Sequence, residues 1–103
     1  MTVLVKLERH EAAKTDAFTR WLIKLPSGEK ISFKDAFSKG IAKLYATTLM
    51  PDKTHWVEYW EVSEDVELVR VRKTNRGNIV VTYYKPKELE VPKYEELKAV
   101  GGC

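Results

Sequence analysis

The side chains with most to offer a ligand lie between residues 56 and 84: Trp56, Trp60, Arg70, Arg72, Lys73, Arg76 and Tyr84. Aromatic rings stack on unpaired bases and guanidinium groups attract phosphates, the combination by which open sheets hold single-stranded nucleic acid. Tryptophan, tyrosine and arginine are also the residues that protein interfaces enrich, so self-association or docking of a protein partner through the same set is the second reading. A third is purely structural: Arg70 pairs with Glu58, Arg72 lies over Trp56, and the rings close a second small core.

Catalytic chemistry finds little to work with. The two histidines, His10 and His55, stand in no spacing that gathers metal ligands on one helix face. On a strand, His55 and Glu58 point to opposite faces. None of Ser27, Ser32, Ser38 and Ser63 occupies a G-x-S-x-G elbow. The glycines 28, 40, 77, 101 and 102 form neither a dinucleotide fingerprint nor a P-loop. The expectation is a binding protein without enzymatic activity, cofactor or metal.

The elements that must position these residues are mostly strands. Val3, Val5 and Leu7 alternate with Thr2, Leu4 and Lys6, the period of a strand. Residues 18–25 and 29–33 read as a hairpin about Pro26, Ser27 and Gly28. Ser32 followed by Asp35 resembles a capping box, and Phe37, Ile41, Leu44, Tyr45 and Leu49 follow at helical spacing, which predicts a central helix over 34–49 ended by Pro51. Gly40 is then an interior glycine, at a cost of about 1 kcal/mol. Residues 55–62, 66–73 and 79–85 read as a three-stranded meander, with a helix over 54–62 as the alternative for its first member. Pro92 suits the first turn of a short C-terminal helix over 92–99.

A three-residue loop at 63–65 sets Trp60 opposite Leu68, Glu58 opposite Arg70 and Trp56 opposite Arg72. Val57, Tyr59, Val69, Val71, Val81 and Tyr83 then form a wholly apolar face, which is expected to receive the helix. Trp56, Trp60, Arg70, Arg72 and Tyr84 lie on the opposite, open face, extended by Lys73 and Arg76. The fold class expected is α+β: a mostly antiparallel sheet, hairpin plus meander, packed on one central helix.

Composition sets the outer bounds. The chain has 103 residues, 44% hydrophobic and 32% charged, enough apolar material for one core and too much for a disordered chain. One domain over 1–100 with a loose tail at 101–103 is expected. Charges at Lys6, Glu8 and Arg9 interrupt any signal-peptide core, and no apolar run approaches the roughly 20 residues of a membrane span. The single cysteine, Cys103, excludes an intramolecular disulfide and favours a reducing, cytoplasmic setting. Glutamine is absent and asparagine occurs only at 75 and 78, beside abundant lysine and glutamate, a profile seen in proteins of hot environments.

The net charge is +3, unevenly spread. Residues 51–65 carry one basic against five acidic side chains, and residues 66–85 five basic against one. That total is modest for a strong phosphate binder. Lys34, Lys39 and Lys43, along the exposed side of the expected helix, are read as solvated charge.

Overall fold

Alternation of apolar side chains, more than helical periodicity, governs this chain. The computed structural model describes residues 1–11, 17–49 and 54–92. In chain order the elements are β1 (Thr2–Glu11), β2 (Phe18–Lys24), β3 (Lys30–Ser32), α1 (Phe33–Ser38), β4 (Ala42–Leu49), β5 (His55–Ser63), β6 (Glu67–Lys73) and β7 (Ile79–Tyr84), followed by a 3-10 turn, Pro86–Leu89. Among the described residues, the strands form one antiparallel sheet in the order β4-β5-β1-β2-β6-β7, with β3 beside the end of β2. Among the described residues the protein is therefore mostly β, with one short helix, and the expected α+β architecture on a central helix is corrected. No helix among the described residues is long and apolar enough to cross a membrane.

The expected helix over 34–49 breaks at Gly40. Ser32 caps α1 as anticipated, its Oγ accepting from the Asp35 N–H at 3.1 Å. Gly40 has a φ of 73°, its N–H donates to the Phe37 carbonyl at 3.1 Å, and the Ile41 N–H donates to the Ala36 carbonyl at 2.8 Å. This pair of bonds about a left-handed residue is the Schellman stop, so Gly40 ends the helix where the sequence reading placed it inside. From Ala42 the chain continues as β4, paired with β5 from Ala42–Val62 to Leu49–Trp56 with a bulge between Leu44 and Ala46. The expected C-terminal helix over 92–99 lies outside the described residues, except for Pro92.

All three members of the expected meander are strands, and β6 and β7 pair as a hairpin. The pairing of residues 55–62 with 66–73 does not occur. β5 instead pairs with β1 from Thr2–Ser63 to His10–His55, and β6 pairs with β2 from Phe18–Lys73 to Lys24–Glu67. The three-residue link at 64–66 thus steps over two strands. The hairpin of residues 18–25 and 29–33 is present as β2 and β3.

The core is built on the face expected to be open. Val3, Val5, Leu7, Trp21, Ile23, Trp60, Val62 and Leu68 form its main cluster, and α1 contributes Phe33 and Ala36. Trp60 is only 5% exposed and packs on Phe33 with ring centroids 5.0 Å apart. The other face, expected to receive a helix, buries Val57 and Tyr59 with Leu4 in a smaller cluster, while Val81 and Tyr83 are 47% and 42% exposed. Side-chain parity was read correctly; which row faces the core was inverted.

Two substitutions check this. Trp60→Ala should lower unfolding free energy by about 3–5 kcal/mol in a urea titration, as for a large buried ring. Nothing stands within 4 Å of a Cβ built at Gly40. Gly40→Ala should therefore cost only the backbone strain of a left-handed alanine, about 1–2 kcal/mol.

Candidate ligand-binding cleft

The core-facing row of each long strand changes character toward the same end of the sheet. Along β1 it runs Val3, Val5, Leu7, Arg9; along β5, Val62, Trp60, Glu58, Trp56; along β6, Leu68, Arg70, Arg72; and along β2, Ile23, Trp21, Thr19. Register brings the polar ends together, with Arg9 opposite Trp56 and Thr19 opposite Arg72. One end of the inner face is thus dry core and the other a polar mouth.

The mouth opens where β1 and β2 part. They pair only at His10–Thr19 and Glu11–Phe18. Beyond that the edge of β1 is met by the segment after the 3-10 turn, through a Val5–Glu90 bridge and a Val91 N–H to Leu4 carbonyl bond of 3.0 Å. Across the gap the Trp21 indole N–H donates to the Glu8 carbonyl at 2.9 Å. Tyr84 leans on Trp21 with ring centroids 5.7 Å apart.

The resulting cleft has a volume of ≈ 390 Å³. Lys6, Arg9, Arg70 and Arg72 supply four cations to its lining against one carboxylate, Glu8. Arg70 lies 5.4 Å from the centre of the Tyr84 ring, and Arg72 is exposed. Neither of these arginines, nor Lys6, has a carboxylate partner among the described residues. His10 and His55 also line the cleft and stack face to face, with centroids 4.2 Å apart at 21°.

Arg9 is held differently. Its Nη1 donates to Glu58 Oε1 at 3.2 Å, and that same oxygen accepts from the Trp60 indole N–H at 3.0 Å. Its guanidinium lies 5.9 Å from the Trp56 ring centre. Its buried Nε has no hydrogen-bond partner, the one such side-chain atom among the described residues. The expected Glu58–Arg70 pair and the contact of Arg72 with Trp56 are therefore replaced by contacts of Arg9, because β1 and not β6 lies beside β5.

Of the residues singled out in the sequence, Arg70, Arg72 and Tyr84 meet in the cleft. Trp56 lines an adjoining hollow that shares Glu8, Arg9 and His55 with it. Trp60 belongs to the core. Lys73, one residue beyond Arg72, points to the opposite face, and Arg76 stands exposed in the turn between β6 and β7. Lys6, Arg9, His10, Thr19, Trp21 and His55 were missed. The signal for Arg9 was its parity with Val3, Val5 and Leu7, a charge on a core-facing row. No group of three or more histidine, cysteine, aspartate or glutamate side chains that could hold a metal ion forms among the described residues.

Comparison of the chain with protein-family models, with curated proteins and with solved structures finds no match.

Trp21→Phe keeps a ring in the gap but leaves the Glu8 carbonyl without its donor. It should cost about 0.5–1.5 kcal/mol, the net worth of one hydrogen bond whose acceptor water can still reach, when wild type and variant are compared by chemical denaturation.

Proposed function

We propose that this protein binds single-stranded nucleic acid through the cleft, without catalysing a reaction on it. The observation that carries the reading is the set of cations without carboxylate partners among the described residues, Lys6, Arg70 and Arg72, gathered around Tyr84 and the stacked histidines. Charges already neutralised by carboxylates have little left for phosphate, whereas these three are available to displace counterions from a nucleic-acid backbone. His55 is exposed and Tyr84 is half-buried, so a splayed base can reach both rings. A duplex with its bases stacked inside cannot use those rings, which favours single strands. Trp56 adjoins the cleft and extends the path, while Arg76 adds charge beyond it.

The experiment is a titration of labelled single- and double-stranded oligonucleotides, followed by anisotropy and by tryptophan fluorescence at several salt concentrations. Three phosphate contacts predict a slope of log K against log salt of about −2 for a single strand. Arg72→Ala should weaken binding across sequences and reduce that slope by a little under one unit, with no change in the melting temperature of the free protein. An absence of binding at low salt, or an Arg70→Ala, Arg72→Ala double variant that binds like wild type, sinks the proposal.

A further inference from the structure

We infer that β7 is a self-pairing edge and that two copies of this chain join through it into one continuous antiparallel sheet. Among the described residues, β7 ends the strand order and pairs only with β6. The hairpin ladder starts with the Thr74 N–H on the Asn78 carbonyl at 2.9 Å. Antiparallel alternation then turns the backbone groups of Val80, Thr82 and Tyr84 toward β6 and leaves those of Ile79, Val81 and Tyr83 facing outward. The side chains of those three are also the exposed ones on the outer face, at 60%, 47% and 42%.

Charge identifies the occupant. The strand Ile79–Tyr84 has no charged residue, in a chain that is 32% charged. Natural sheet edges are normally guarded by lysine, bulges or brevity. The other edges here have such guards: β4 carries Lys43 and the bulge at Leu44–Ala46, and β3 is three residues long and begins with Lys30. β7 has none. A two-fold axis through Val81 sets Val81 against its own copy and Ile79 against Tyr83 of the second copy, while Lys85 falls opposite Gly77, outside the apolar ladder. On the outer face apolar side chains meet apolar ones, and on the inner face Val80 meets Thr82, so no charge enters the ladder, which a partner with charged or irregular sequence would not reproduce. Because β7 is the one unguarded edge among the described strands, the pairing closes at two copies and does not propagate. The inference uses no residue lining the cleft except Tyr84, whose backbone faces β6, and does not depend on nucleic-acid binding.

The test is sedimentation equilibrium of wild type and Val81→Lys, in reducing agent so that Cys103 cannot link chains. A six-residue edge is a small interface, so association in the micromolar range is expected, with the mean mass of wild type rising toward twice the chain mass between about 10 and 300 µM. Val81→Lys sets two ammonium groups against each other on the axis and should hold the protein at one-chain mass, with its circular dichroism unchanged. Amide exchange at Ile79, Val81 and Tyr83 should slow with concentration in wild type, a readout that stands even if the variant is unstable. A monomer throughout, a dimer that survives Val81→Lys, growth beyond two copies, or concentration-dependent protection on β4 instead overturns the inference.

Discussion

The indole of Trp21 spans the place where two strands of the sheet separate, and the arrangement of both core and cleft follows from that separation. β1 is paired along almost its whole length with β5 but only at two positions with β2. A carbonyl that leaves its ladder inside a protein needs a new donor. The Trp21 N–H supplies one at Glu8, and the ring fills the space a paired strand would have occupied. Tyr84 and the segment ending in Val91 finish the seal from the far side. Without such a wedge the strands would either zip together, closing the cleft, or admit water to Leu7 and Leu68.

Local features of the fold were legible where the physics is local. Strand alternation in β1, the turn between β2 and β3, and the Ser32 cap all depend on a few neighbouring residues. Gly40 shows how a local signal is misassigned: the spacing of Phe37, Ile41 and Leu44 suits a helix, yet a left-handed glycine with a following apolar residue is equally a stop signal. Three of the next eight residues are Tyr45, Thr47 and Thr48, side chains that favour an extended backbone. The strand order was not legible, because a three-residue link at 63–65 is as suitable for a short crossing to another strand as for a hairpin. The choice is made by β1, more than fifty residues earlier in the chain, whose apolar row matches Trp60 and Val62.

The same non-local choice divided the site. Parity within β6 and β7 is local, so Arg70, Arg72 and Tyr84 were found together. Their companions Lys6, Arg9, His10 and Trp21 come from strands that only the true order brings near. Trp60 was misplaced for the opposite reason: its parity matched that of the arginines, but its position along the strand puts it at the dry end. A row that changes from apolar to charged marks a boundary between core and mouth, and it must be read along the strand as well as across it.

Those inward-facing charges themselves require an opening. Enclosing a guanidinium without a carboxylate costs several kcal/mol, more than one buried leucine returns. Arg9 meets the demand with Glu58, and Glu58 in turn satisfies the Trp60 indole, so charge and ring are settled together at the border of the core. Arg70 and Arg72 have no such carboxylate among the described residues, and the sheet can place them on its inner face only if that end remains open to water or to an anion. Two requirements thus coincide at one end of the molecule. The strands must part to keep the arginines hydrated, and Trp21 must hold them at the separation where they do.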